Sequence, residues 1–498
     1  MTALTWTMLL GASLGAYAQS GTVASSYSRT PLHDAAALGD ATAIKAVVEA
    51  GESPEAQSDG RWTPLHLAAE QGHMEATKAL VEAGAPLEAQ DDGGWTPLHV
   101  AAHQGHARVI KVLVEADASL EARAANQWTP LHWSAHQGHA EAIKALVQAG
   151  ASLDAQTDGS KGTPLHFASG EGHAEAVEAL VEAGASLDAQ AKDERTPLHW
   201  AARQGHTAVI KALVEAGASL EAQADGKWTP LHFAVQQGHW WRREAIKALV
   251  EAGASLEAQT DSKATPLHVA SKEGHTAAIK ALVEAGASLD AQADDERTPL
   301  HVASREGRTE AIKALVEAGA SLESQTDARW TPLHLAAEQG HTEATKALVE
   351  AGAPLEAQAD GEWTPLHWAV HRGHARAIKV LVEAGASLKA QTHDKSTPLD
   401  MAPNEQSGQI LIDARNHRLR LFGASSGILA LLAELKIAKF LPVAVAWFET
   451  VGATSIDELV ALELIDEFVD ALDLTPVPAW KLSKTLMQIR DQKEKDEV

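Results

Sequence analysis

Histidine is the residue type that is numerous and regularly spaced enough in this chain to form a chemical site. The chain has 498 residues, and 25 of them are histidine. Imidazole is the commonest side-chain ligand of transition metals, and residues three or four positions apart lie on one face of a helix. His132, His136 and His139 have that spacing. Most histidines recur at fixed positions, however: eleven end a Thr-Pro-Leu-His motif and nine follow a glycine. We therefore interpret them as parts of a repeated scaffold and predict no metal site and no cofactor.

Two common motifs of catalysis are absent from the sequence. It contains no Gly-rich phosphate loop and no His-Glu-x-x-His. The lack of cysteine removes thiolate nucleophiles, thiolate zinc sites and disulfides. No carboxylate pair stands out among the 67 acidic residues. We therefore predict that the protein is not an enzyme.

The charge of the chain restricts its partners. A formal net charge of −26 repels phosphate backbones, so we expect no nucleic-acid partner. A protein partner with basic segments fits this charge better. The sequence also has no run of 18 uncharged apolar residues, and the best C-terminal stretch, 427–448, is interrupted by Glu434, Lys436 and Lys439. No membrane-spanning helix is predicted there.

The Thr-Pro-Leu-His motif recurs along most of the chain. Eight of the first ten intervals between copies are 33 residues, and the other two are 34 and 36. A twelfth copy, at Thr397, has Asp400 in place of the histidine. A fixed period of this length predicts a solenoid of stacked units. The complete motifs begin at Thr30, Thr63, Thr96, Thr129, Thr163, Thr196, Thr229, Thr265, Thr298, Thr331 and Thr364.

Each unit has the pattern of two short helices and a turn, as the unit that starts at Thr63 illustrates. Thr63 can cap a helix and Pro64 suits its first position. Gly72 and Gly84 can adopt positive φ and end the two helices, which have apolar residues at helical spacing. The rest of the unit is polar and turn-forming, with Asp-Gly at the tip. The sequence therefore predicts two helices and a hairpin per unit.

These residues resemble the ankyrin repeat: Thr-Pro-Leu-His, the following Ala-Ala, Gly-His, and a helix that ends in Leu-Val-Glu-Ala-Gly-Ala. The resemblance covers about 28–417 and implies an all-α repeat solenoid with short β-hairpins. It also implies that the repeated histidines are hydrogen-bonded within the scaffold. In resembling proteins the hairpin tips and the first helices form a concave surface that binds other proteins. Two local departures are Asp117, in place of a helix-ending glycine, and Pro403, which predicts that the twelfth unit is a truncated cap.

Candidate binding residues occupy two positions that vary within the otherwise copied unit. One directly precedes the motif, and the other is the fourth residue after its histidine. An alternative for the tryptophans is packing across their own hairpin stem. Trp133, Trp200 and Trp368 directly follow the motif, which predicts that they lie in the core. The candidates are Trp62, Trp95, Trp128, Trp228, Trp330, Trp363, His103, His136, His371, Arg203 and Arg305.

The unit of 36 residues carries an insertion at the start of its second helix. Trp240, Trp241, Arg242 and Arg243 form a group that is distinctive in an acidic chain, because it could stack on and pair with an acidic or aromatic partner. A tolerated bulge without function is the alternative interpretation.

The C-terminal segment departs from the repeat. Features such as Trp447-Phe448 and a last helix with Leu482, Leu486 and Ile489 resemble a sterile alpha motif (SAM) domain, which we place at 421–492, before a charged tail at 493–498. A plain helical cap is the alternative. In the family that it resembles, an acidic surface of one copy often meets the last helix of the next. The residues that would mediate such self-association are Asp466, Glu467, Asp470, Lys481 and Lys484.

Residues 1–27 form an N-terminal apolar segment, interpreted as a signal peptide or as a cap of the array. The sequence as a whole favours a protein-binding scaffold or adaptor in the cytoplasm. The alternatives are a secreted binding protein, if 1–18 is a signal peptide, and a subunit that tethers a substrate for a separate enzyme.

Overall fold

The computed structural model describes two long stretches of the chain and several short ones. Packing divides the chain into two compact units, residues 1–266 with 284–287 and residues 267–283 with 288–498. No helix among the described residues is long and apolar enough to cross a membrane. The described residues are 29–237, 243–425, 431–432, 443–444, 447, 472, 482 and 485–488.

Each repeat contributes a first and a second helix, which confirms the predicted helical repeat solenoid. The first helices are α1 (Pro31–Leu38), α3 (Pro64–Glu70), α5 (Pro97–Gln104), α7 (Pro130–Gln137), α9 (Pro164–Glu171), α11 (Pro197–Gln204), α13 (Pro230–Gln236), α15 (Pro266–Glu273), α17 (Pro299–Arg305), α19 (Pro332–Gln339) and α21 (Pro365–His371). The second helices are α2 (Ala41–Glu49), α4 (Met74–Glu82), α6 (Ala107–Glu115), α8 (Ala140–Gln148), α10 (Ala174–Glu182), α12 (Thr207–Glu215), α14 (Arg243–Glu251), α16 (Thr276–Glu284), α18 (Thr309–Glu317), α20 (Thr342–Glu350) and α22 (Ala375–Glu383). Helix α23 (Glu405–Ser425) follows them.

The motif histidine caps its own helix and binds the next repeat. In α3 the backbone N–H of Thr63 donates to Nδ1 of His66 (3.2 Å), as does the Thr63 hydroxyl (2.8 Å). Since Nδ1 accepts these bonds, the ring proton is on Nε2, which lies 2.9 Å from the carbonyl oxygen of Trp95 and donates to it. Trp95 belongs to the following hairpin. One imidazole therefore starts a helix and fixes the position of its neighbour.

Burial keeps these rings neutral. The motif histidines have no accessible surface or almost none. In nine of them, removal of water from the charged form is the main cause of a lowered pKa. The carbonyl bond at Nε2 opposes this effect only in part. The histidines whose pKa is lowered to about 4 in this way are His99, His132, His166, His199, His301 and His334.

The histidine after each glycine makes a second joint, directed to the preceding repeat. His139 donates from Nε2 to the carbonyl of His103 (2.9 Å), in the last turn of the preceding first helix. Its ring lies so close to Gly105 that a Cβ there would be 2.6 Å from it, and Gly105 also has a φ of +78°. Two complete repeats lack this histidine, and in one of them Nε of Arg308 donates to the carbonyl of Lys272 (2.9 Å). The close approach of the histidine ring is thus a second reason why glycine occupies this position, besides its role in ending the helix.

The predicted hairpins are turns of minimal length. The N–H of Asp91 donates to the carbonyl of Trp95 (3.0 Å) and closes one tip, and the N–H of Asp92 donates to Gly60 (3.2 Å) and joins that tip to the preceding one. Among the described residues, one of these tips forms an isolated antiparallel β-bridge, between Ala224 and Trp228. Backbone groups at the tips are thereby paired from repeat to repeat.

The departures from the repeat have local effects. Asp117 adopts the left-handed conformation of the glycine that it replaces, with a φ of +69°. In the twelfth unit the Thr397 N–H donates to Asp400 (2.8 Å), but residues 398–401 form turns instead of a helix, in agreement with the predicted truncation. Helix α23 then runs through residue 417, the predicted end of the array. The domain limits stay predictions.

Several predicted features lie outside the described residues. They are the N-terminal segment, most of the SAM-like segment, and the residues Trp240, Trp241, Arg242, Asp466, Glu467, Asp470, Lys481 and Lys484.

The neutral histidines predict that stability decreases with acid. Their pKa is about 4 in the folded chain, for example at His99, and about 6.5 in an unfolded chain. Below pH 6.5 the unfolded state therefore binds protons that the folded state excludes. The contribution of the neutral histidines to the free energy of unfolding is fully present above pH 6.5. It decreases toward pH 4, by up to about 3 kcal/mol per histidine. The melting temperature should decrease between pH 6.5 and 5, before most carboxylates titrate. An unchanged melting temperature over that range would contradict this account.

A pair of glycines separates close approach from backbone strain. Both Gly138 and Gly150 have positive φ, +79° and +98°, but a Cβ on Gly138 would lie 2.5 Å from the His173 ring, whereas none of the atoms considered lies within 4 Å at Gly150. Gly150→Ala should cost about 1–2 kcal/mol of unfolding free energy. Gly138→Ala should cost about 1–3 kcal/mol more, because the ring must move. Urea unfolding measures both, and equal losses would show that the ring contact has no energetic effect.

Candidate protein-binding face

The variable positions of one repeat lie next to each other. We call them the variable face: the residue before each Thr-Pro-Leu-His motif and the fourth residue after its histidine. The ring centroid of Trp95 is 5.1 Å from that of His103, and Trp128 is 5.4 Å from His136. In the second unit Trp363 is 5.3 Å from His371. The structure therefore brings the predicted tip and helix residues together in pairs.

A third aromatic position connects these pairs between repeats. Trp133, directly after the motif, has its ring centroid 4.4 Å from both Trp95 and Trp128. Trp128 also lies 4.3 Å from Phe167. Aromatic rings at these separations and tilts attract one another beyond the burial of their area. The result is a row of interleaved rings across successive first helices.

The second unit repeats this arrangement. Trp368 follows its motif in the same way as Trp133, and its centroid is 4.5 Å from Trp330 and 4.4 Å from Trp363. The residue after the motif was assigned to the core by sequence reasoning, which missed its role between two hairpin tryptophans. The signal was present, because this position is aromatic wherever such a row forms.

The structure modifies several expectations for individual side chains. The hairpin tryptophans contact aromatic side chains of first helices, as Trp95 does with Trp133. They also lie against their own hairpin, because a Cβ on Gly93 would be 3.2 Å from the Trp95 ring and one on Gly361 would be 3.2 Å from the Trp363 ring. Trp128 is buried, at 8% exposure, whereas Trp62, Trp95, Trp228, Trp330 and Trp363 are partly exposed.

The residues expected in the core differ from that expectation in part. Trp133 is buried as predicted, but Trp200 and Trp368 are only partly buried. Of the candidate histidines, His103 and His136 are half-buried, because tryptophan rings cover them, and His371 is exposed.

Two histidines of the variable face, His103 and His136, are held in the neutral form by burial. Burial lowers the pKa of His103 to about 4. Burial also lowers the pKa of His136, although Glu171, 3.9 Å away, opposes that effect. Neutral imidazoles next to indoles form a surface suited to apolar and aromatic groups.

Arginine replaces tryptophan in two repeats. Arg195 lies with its guanidinium carbon 4.7 Å from the Phe233 ring centroid, while the ring of Trp228 is 5.3 Å from the same phenylalanine. Phe233 thus lies between two tip residues in the way that Trp133 does. Arg203, from the same repeat, is half-buried on α11, and Arg305, in the second unit, is exposed at the end of α17.

The described part of the inserted group is Arg243, the first residue of α14. Its Nη2 is 3.2 Å from Oε2 of Glu284, and both side chains are exposed. An exposed pair of this kind contributes little to stability. Within the described part of the chain, no cluster of His, Asp or Glu could hold a metal ion.

Comparison with known proteins identifies the family. The family model described as ankyrin repeats (three copies) matches residues 32–124, 116–191, 184–260, 241–326 and 320–392. The chain therefore belongs to the ankyrin-repeat family, whose repeats generally mediate protein–protein interaction.

Two solved structures illustrate the similarity. The human ASB11 ankyrin repeat domain has 31% identity and a TM-score of 0.40, with 46% of this chain and 99% of that domain covered. The ankyrin repeat domain of Bcl-3, a member of the IkappaB protein family, has 30% identity and a TM-score of 0.40, with 44% and 100% covered. No curated protein sequence gave a significant match.

Two hairpin tryptophans should differ in their contribution to folding. Trp128 is buried between Trp133 and Phe167, so Trp128→Ala leaves a cavity and should cost about 3–5 kcal/mol. Trp62 is partly exposed and has its ring 5.6 Å from His66, so Trp62→Ala should cost less than half as much. Urea unfolding of the two variants compares them. A larger loss for Trp62→Ala would contradict the packing described above.

Proposed function

We propose that the protein is a scaffold or adaptor that binds a partner protein on its variable face. One observation carries the proposal: in a chain of nearly copied repeats, the positions that differ contact each other on one surface, as Trp95 does with His103. Variation at neighbouring positions is what a specific contact surface requires. The framework that holds them is nearly the same in the complete repeats.

The chemistry of the face supports this proposal. Partly exposed tryptophans are the residues that most often dominate protein interfaces, since each buries a large area with few rotatable bonds. Their neighbours in the row hold them in fixed orientations, which lowers the entropy lost on binding. The proposed contact residues are therefore Trp62, Trp95, Trp228, Trp330 and Trp363, together with the histidines and arginines beside them.

A binding role without catalysis is the simplest form of this proposal. Ankyrin-repeat modules are typically non-enzymatic, and a tethering subunit of an enzyme complex would use the same face. We propose a cytoplasmic location, and a secreted binding protein is the alternative if residues 1–18 are a signal peptide. The expectation of a basic partner comes from the net charge of −26, which acts on partners at a distance.

We also propose that the C-terminal segment is a SAM-like domain that associates between copies. The proposal comes from its resemblance and from the acidic 449–480 stretch followed by Lys481 and Lys484. Two different patches that meet form a contact that propagates. Light scattering of the full chain at low salt should show oligomers that Lys481→Glu with Lys484→Glu removes. A monomer at about millimolar concentration and low salt would exclude this association.

The function is tested by capture of partners on the full-length chain, followed by affinity measurements with the partner identified. Trp62→Ala and His371→Ala change one face residue in each unit, and each should weaken binding about fivefold, equal to about 1 kcal/mol. Lys78→Ala and Lys379→Ala, on second helices, are the matched controls and should leave affinity unchanged. Equal weakening by the controls would locate the interface on the second helices and contradict the proposal.

A further inference from the structure

The variable face has the opposite charge to the chain as a whole. Its anionic residues are Glu70 and Glu338, and the Glu338 carboxylate is buried and ion-paired with Arg372. Six positions of the face are cationic in a chain whose formal net charge is −26. They are Arg29, Arg195, Arg203, Lys272, Arg297 and Arg305.

Arg195 is held in a fixed orientation by its neighbours. Its guanidinium lies over the Phe233 ring, and its Nη1 is 2.9 Å from Oδ2 of Asp193. Nε of Arg195 is buried and has no hydrogen-bond partner. An unsatisfied buried donor costs free energy, and a guanidinium can donate five hydrogen bonds. Nε is out of reach of a partner, but the side chain is 26% exposed, so the guanidinium can still donate to a carboxylate at the surface.

Arg203 occupies the helix position that lies beside the tip residue, as His103 lies 5.1 Å from Trp95 in another repeat. Burial is the main cause that lowers the pKa of the Arg195 guanidinium, the charge of Arg203 also lowers it, and Asp193 and Asp225 raise it. Two like charges next to each other in a half-buried place favour the binding of an anion between them. Arginine is suited to that purpose because its planar fork matches a carboxylate.

The second unit repeats the sequence and part of the contacts. The sequence Asp-Glu-Arg-Thr-Pro-Leu-His occurs at 193–199 and again at 295–301. Nη2 of Arg297 is 3.4 Å from Oδ2 of Asp295, and Nε of Arg297 is likewise buried without a partner. Arg305 occupies the position of Arg203 but is exposed. A tip arginine that pairs with the aspartate two residues before it is therefore present in both units.

We propose that the pairs Arg195–Arg203 and Arg297–Arg305 each bind an Asp or Glu side chain in an acidic stretch of the partner protein. This inference rests on the proposed function and specifies the partner. The negative charge of the rest of the chain does not prevent it, because exposed charges are screened beyond about 8 Å at physiological ionic strength. At the short distances within the contact, the arginines therefore determine which charge the face attracts. A basic partner would meet like charge there.

The test uses the full-length chain and a displayed library of random dodecapeptides. Peptides selected on the wild-type chain should contain more Asp and Glu than the unselected library. Selection on the variant Arg195→Gln/Arg203→Gln/Arg297→Gln/Arg305→Gln should lose this enrichment. A selected acidic peptide, made with a fluorescent label, should bind that variant at least tenfold more weakly by anisotropy, with an unchanged melting temperature of the protein.

The control variant is Lys144→Gln/Lys247→Gln/Lys313→Gln/Lys379→Gln, which removes four positive charges from second helices and should change the affinity less than twofold. If no peptide is selected at all, the proposed function fails and this inference fails with it. If selected peptides are basic or neutral, or acidic peptides bind the arginine variant as well as the wild-type chain, the face binds protein but the inference is overturned. Equal weakening by the lysine control would assign the effect to net charge and would also overturn it.

Discussion

The fold depends on one repeated interaction, a buried neutral imidazole that bonds to two repeats at once. Nδ1 accepts from the threonine at the start of its own helix, and Nε2 donates to a carbonyl of the next hairpin, as in His66 and Trp95. A protonated ring could not accept at Nδ1, and its charge would be buried without a counterion. The scaffold therefore requires the neutral form and one tautomer in repeat after repeat.

That constraint leaves the variable face free to change. The histidine bonds to the backbone carbonyl of the residue before the next motif, so the identity of that side chain does not affect the bond. Tryptophan at 95 and arginine at 195 accept the same bond, from His66 and His166. Side chains at this position can thus be exchanged at low cost in stability, except where a ring is buried in the aromatic row, as Trp128 is.

The sequence was sufficient to predict what is local to one repeat. The period, the helix limits set by proline and glycine, and the left-handed Asp117 were all predictable, because each follows from neighbouring residues. The half-burial of His103 and the place of Trp133 between two hairpin tryptophans were not. Both depend on the offset between adjacent repeats, which no single repeat encodes. For the same reason the sequence showed Arg195 and Arg203 as separate positions and not as a pair of close charges.

The most direct measurement of the central claim is the protonation state of the motif histidines, by nitrogen-detected NMR of the imidazole rings in the intact protein. At pH 6 the rings of His132 and His334 should carry a proton on Nε2 and none on Nδ1, and they should stay neutral to about pH 4. A proton on Nδ1 at pH 6, or titration near the ordinary pKa of 6.5, would show that the repeats are not joined in this way.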